Sequence, residues 1–124
     1  MILDAGVFVS VDRDEERARV FLTAAERAGE PLHTSEAVVA QVWRDGARQA
    51  RLAAVLKAIE VHALDDGRAV GAMLARSDGS DVVDAHVVFL GAALSQRVLT
   101  ADPGDLQIIA GAMGRTQPDI LVWG

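Results

Sequence analysis

A chain of 124 residues with 51% apolar side chains has enough apolar material to bury a core, which excludes intrinsic disorder and suits one domain. Eighteen acidic against 12 basic residues leave a net charge of −6, which counts against a general, charge-driven nucleic-acid binder, because phosphate binding rests on Lys and Arg. The absence of cysteine excludes disulfides, thiolate zinc sites and thiol nucleophiles.

In chain order, the hydrophobic pattern predicts a strand over 1–3, ending at Asp4 before Ala5-Gly6-Val7-Phe8-Val9, then a helix over about 14–29 stopped by Gly29-Glu30-Pro31. A strand over 32–34 leads to helices over about 36–46 and 47–59, and a strand over 61–64 follows. Helices over about 67–76 and 81–96 are separated by Ser77-Asp78-Gly79-Ser80; a strand over 97–100, a helix over 103–114 begun by Asp102-Pro103-Gly104, and a strand over 119–123 complete the chain. The helix over 81–96 carries Val82, Val83, Ala85, Val87, Val88, Phe89 and Leu90, apolar almost all round, and is therefore expected at the centre. Short apolar strands alternating with helices predict a three-layer α/β/α sandwich around a mostly parallel sheet of about five strands. No repeat, linker or low-complexity tract interrupts it.

Carboxylates stand where the apolar strands end. In a parallel sheet, functional groups gather beyond the carboxyl ends of the strands, so Asp4 and Asp102 are expected to meet. Asp84 lies one turn inside the apolar helix, where an unpaired carboxylate is costly to bury. Asp81, three residues earlier, leans to the same side. Each has an ordinary structural alternative: a turn or cap for Asp4, a salt bridge for Asp84, first-turn charge behind a Ser80 N-cap for Asp81, and the N-cap before Pro103 for Asp102. Asp105 reads as dipole-matching charge. Jointly they predict a hard divalent cation, Mg²⁺ or Mn²⁺, which keeps clustered carboxylates ionised. With His33, His62 and His86 scattered at no metal-ligand spacing, any metal is expected to be held by oxygen, and the histidines read as structural.

Three segments together resemble the PIN-domain family, in particular the VapC-like ribonuclease toxins of toxin-antitoxin pairs. Met1-Ile2-Leu3-Asp4-Ala5-Gly6 looks like the opening strand motif, Asp84-Ala85-His86 like the Asp-Ala start of the central helix, and Val98-Leu99-Thr100-Ala101-Asp102 like the closing Thr-x-Asp motif. The resemblance spans 1–124 as one PIN-like domain and implies metal-dependent hydrolysis of RNA, with Asp4, Asp84 and Asp102 holding Mg²⁺ or Mn²⁺ and Asp81 in support. It also implies a cognate antitoxin as partner and a homodimer. One feature departs from the pattern: Gln41 stands where the family usually has Glu, offering a carbonyl oxygen but no charge. A catalytically weak module acting through protein partners is therefore the rival reading.

Arg44, Arg48 and Arg51 would form a basic stripe for RNA phosphates if the helices around Gly46 ran on nearly continuously; otherwise they are a solvated face. Trp43 and Trp123 suit core packing better than base stacking. A phosphoacceptor receiver is a poor fit because the only lysine is Lys57, and a haloacid-type phosphatase fails because Gly6 stands two residues after Asp4. No apolar run approaches the roughly 18 residues of a membrane span, and Met1-Ile2-Leu3-Asp4 leaves no room for a signal peptide, so a cytoplasmic protein is expected.

Overall fold

The computed structural model describes residues 1–124. The elements run β1 (Ile2–Leu3), α1 (Ala5–Asp12), α2 (Glu16–Ala28), β2 (His33–Ser35), α3 (Glu36–Val42), α4 (Ala50–Ala58), β3 (Glu60–His62), α5 (Gly67–Ser77), α6 (Val82–Ala93), β4 (Val98–Thr100), α7 (Pro103–Gly111) and β5 (Ile120–Val122), with a 3₁₀ turn at Gly114–Thr116. The strands form a five-stranded sheet in the order β3-β2-β1-β4-β5. All four pairings are parallel.

Parallel neighbours need crossovers, and here helices supply every one. Helices α1 to α4 associate around α1, while α5, α6 and α7 associate with one another, and α6 lies against β1, β2 and β4. The sheet is thus enclosed by two helical layers, as the alternating pattern predicts. Burial from both sides explains why the strands are continuous apolar runs rather than alternating ones: Ile2, Leu3, Val98 and Leu99 are all in the core. Helix α6 is the central helix expected, with Ala85, Val87, Val88 and Leu90 buried. Gly91 lets it approach the sheet, since a Cβ there would lie 2.8 Å from Val98 Cγ2 and 2.9 Å from Pro118 Cβ.

Helix α1 was not foreseen in the sequence. Val7, Val9 and Val11 alternate, which reads as strand, but Asp4 caps the first turn and Val7, Phe8 and Val11 fall on one buried face. Burial of that face outweighs the weak helix propensity of β-branched residues. The basic stripe is the second correction. Helix α3 ends at Val42 and α4 starts at Ala50, so Arg44 and Arg48 lie in the connection between them and share no helix face with Arg51.

Gln49 causes that break. Only 6% exposed, its amide oxygen accepts from Arg44 N at 2.7 Å and Asp45 N at 2.9 Å. Its NH₂ donates to Val42 O at 2.9 Å and Asp12 Oδ2 at 3.3 Å. All the hydrogen-bonding capacity of one amide is spent fixing the connection and tying it to α1.

Candidate metal centre

Sheet order fixes where a site can form. From β1 the chain builds outward to β2 and β3, then crosses back to place β4 on the other side of β1. The switch point of the topology therefore lies between β1 and β4, and in such sheets the crevice opens beyond the strand ends at that point. Asp4 directly follows β1, and Asp102 comes two residues after β4.

Asp4 is 8% exposed. Its Oδ1 accepts from Ala5 N at 2.8 Å, which caps α1, and its Oδ2 accepts from Thr100 Oγ1 at 2.7 Å. The same Thr100 hydroxyl accepts from Asp102 N at 3.0 Å. One buried hydroxyl at the end of β4 thus joins the two strand-end aspartates, a role for the Thr of the closing motif that spacing alone does not reveal. Gly6 completes the junction: a Cβ there would come within 2.6 Å of Ala101 Cβ, so only glycine lets α1 pack this closely against the loop carrying Asp102.

Asp102 occupies the N-cap position of α7, with Pro103 in the first turn, but makes no side-chain capping hydrogen bond. Its exposed carboxylate is left free of helix duty, unlike the capping alternative that Asp-Pro suggests. Asp81, not Ser80, is the N-cap of α6, its Oδ1 accepting from Asp84 N at 3.0 Å. Asp84 stands half-buried in the first turn of α6. Burial, followed by the negative charges of Asp81, Asp4, Asp105 and Asp102, pushes its carboxyl up to about 7. The charges of Asp81, Asp4, Asp105 and Asp102 all act on Asp84, but no three of these carboxylates offer oxygens all within 4.8 Å of one another. Like charges at such proximity raise the cost of ionisation, and a divalent cation removes that cost. The donor set is all oxygen, which suits Mg²⁺ or Mn²⁺.

The remaining predicted residues do not join this group through hydrogen bonds. Gln41 is exposed near the end of α3. Arg44 folds back on its own chain, Nη1 donating to Ala40 O at 3.1 Å and Trp43 O at 2.7 Å. Arg48, 88% exposed, pairs with Asp45 at 3.6 Å, and Arg51 donates to Asp12 O at 3.0 Å.

The histidines depart from the sequence reading. His33 Nδ1 and His62 Nε2 are 3.0 Å apart, and Glu60 Oε2 lies 3.5 Å from the first and 3.7 Å from the second. These residues form a group of metal-ligating type, so the expectation of oxygen ligands alone does not cover the whole molecule. Linear spacing hides the group because His33 joins it from a neighbouring strand. His86 is structural: buried in α6, its Nδ1 is 2.6 Å from Ser35 Oγ, and burial holds its imidazole below the usual range.

An all-parallel sheet in this order, enclosed by two helical layers, is a PIN-like fold. A chain of the crystal structure of VapBC2 from Rickettsia felis, bound to a DNA fragment from their promoter, superposes with a TM-score of 0.70 over 99% of this chain and 98% of that one, at 13% identity. No family model matches the sequence, and no curated protein matches it.

Proposed function

We propose that this chain is a metal-dependent ribonuclease hydrolysing RNA phosphodiester bonds, the nuclease member of a toxin-antitoxin pair. The observation that carries the reading is the cluster of carboxylates around Asp84 at the switch point of the sheet. In this reading Asp4, Asp84 and Asp102, with Asp81 in support, hold Mg²⁺ or Mn²⁺. The ion supplies Lewis acidity toward a phosphoryl oxygen and a more acidic water for attack on phosphorus, so no protein nucleophile is needed. Thr100 orients the Asp4 carboxylate and fixes the backbone at Asp102. Arg44 and Arg48, both exposed on the connection after α3, would meet phosphate oxygens.

The similarity to a chain of the VapBC2 complex supports an antitoxin as partner, and a homodimer in the cytoplasm completes the proposal. No helix is long and apolar enough to cross a membrane. A second reading rests on one observation: Gln41 is neutral and exposed where the resembling family carries a carboxylate, which favours a catalytically weak module working through protein partners.

The test is calorimetric titration of Mg²⁺ and Mn²⁺ into the wild type and Asp84→Asn, with cleavage of a structured RNA scored in the same samples. Metal binding and cleavage that are both lost in the variant are the expected result. Metal binding without cleavage moves the assignment to the binding module, and no binding at millimolar metal overturns the metal site.

A further inference from the structure

We propose that His33, Glu60 and His62 form a second metal site, for a borderline-soft divalent ion of the Zn²⁺ class, at the edge of the sheet and separate from the carboxylate crevice. The strands set up this arrangement. His33 pairs with Glu60 and Ser35 with His62 across the β2/β3 ladder. Paired residues point to the same face, and so do residues two apart on a strand. All three side chains therefore share one face of the outermost strand pair, and β2 stands between β3 and the β1 strand that ends in Asp4.

Donor geometry supplies the quantitative argument. Separations of 3.0, 3.5 and 3.7 Å among His33 Nδ1, His62 Nε2 and Glu60 Oε2 define a triangle whose circumcentre lies about 2.0 Å from each corner, the bond length zinc takes to nitrogen and oxygen. Two imidazoles and one carboxylate select Zn²⁺, and the neighbouring ions Co²⁺, Ni²⁺ and Cu²⁺, over Mg²⁺. The Glu60 side chain is 73% exposed and that of His62 27%, so a fourth position faces solvent and takes water. His33 and Glu60 also line a mostly apolar cleft of about 620 Å³ with Glu26 and Glu30, the latter paired with the Met1 ammonium and Arg97. In the metal-free chain the His33 Nδ1 and His62 Nε2 atoms are held 3.0 Å apart by a hydrogen bond between the rings. Once bound, the ion clips edge strand β3 to β2.

The experiment is calorimetric titration of ZnCl₂ into the full-length wild type, Asp84→Asn, His62→Ala and Glu60→Ala, with visible spectra of the same proteins loaded with Co²⁺. The expected result is one zinc per chain in the wild type and in Asp84→Asn, with affinity reduced by about 10-fold or more in the other two variants. The intense bands of tetrahedral Co²⁺ should disappear with the affinity. Glu60 is exposed, so its variant tests the site even if His62→Ala fails to fold. Zinc binding that survives in Glu60→Ala, is lost in Asp84→Asn, or is absent from the wild type at millimolar zinc overturns the proposal.

Discussion

Replacing Asp84 with Asn removes one charge from the crevice while keeping the shape of the side chain. In the wild type, burial and four neighbouring carboxylates lift the Asp84 carboxyl from 3.8 to about 7. At about 1.4 kcal/mol per pH unit this shift corresponds to about 4 kcal/mol. Asp84 is half-exposed, and solvent screening cuts the figure to about 1–2 kcal/mol. The sign follows from linkage: the folded chain holds this proton more tightly than the unfolded one. The contribution is therefore fully present below the unfolded value and is lost as pH rises through about 7. Asn carries no such term, but it gives up the favourable charge at the N-terminus of α6, about 0.3–1 kcal/mol. Metal-free Asp84→Asn is thus expected to exceed the wild type by about 1 kcal/mol at pH 8, roughly 3–5 °C in Tm, and to lose that advantage at pH 5. Thermal unfolding followed by circular dichroism in EDTA at the two pH values measures the difference. If the aspartates hold Mg²⁺ as proposed, saturating Mg²⁺ should reverse the order, because a ligand at 100 times its Kd adds about 2.7 kcal/mol to the protein that binds it. A variant that is less stable than the wild type at pH 8, or offset equally at both pH values, refutes the account of Asp84 as a carboxylate strained by its neighbours.

Thr100→Val keeps the volume but leaves Asp4 Oδ2 and Asp102 N without their shared hydroxyl; urea unfolding should show a loss of about 2 kcal/mol, and metal titration a weaker Mg²⁺ affinity. Gly6→Ala places a methyl 2.6 Å from Ala101 Cβ, so the loop carrying Asp102 must shift. A cost of about 1–3 kcal/mol in urea unfolding, with weakened Mg²⁺ binding in calorimetry, is expected. Gln41→Glu restores a charge on α3, and if that residue faces the metal, the Mg²⁺ affinity should rise about 10-fold, equivalent to about 1.4 kcal/mol. An unchanged titration would remove position 41 from the site.

The strands and the crevice were legible in the sequence because both follow from short-range patterns: an apolar run buried on both faces, then a carboxylate at its end. Asp4 and Asp102 could be placed just beyond the ends of β1 and β4 from topology, whereas the joint metal-holding role of Asp4, Asp81, Asp84 and Asp102 is the proposal made above. Helix α1 was hidden because Val7, Val9 and Val11 carry strand propensity, and only tertiary burial of Val7, Phe8 and Val11 makes them helical. The break between α3 and α4 depends on Gln49, an unremarkable residue in the sequence whose amide is satisfied by four groups from two segments. His33, Glu60 and His62 needed the β2/β3 register, which no spacing along the chain contains.

Strand β1 comes first in the chain yet occupies the middle of the sheet, bonded to β2 on one side and to β4 on the other. During synthesis it can find β2 early, but its second neighbour does not exist until residues 98–100 have been made. The hydrogen bond from Thr100 to Asp4 spans 96 positions. Contacts of that range close slowly and late. The crevice therefore cannot form before the segment carrying Thr100 and Asp102 has been made. Any binding partner that recognises the assembled crevice must wait for that segment to be made.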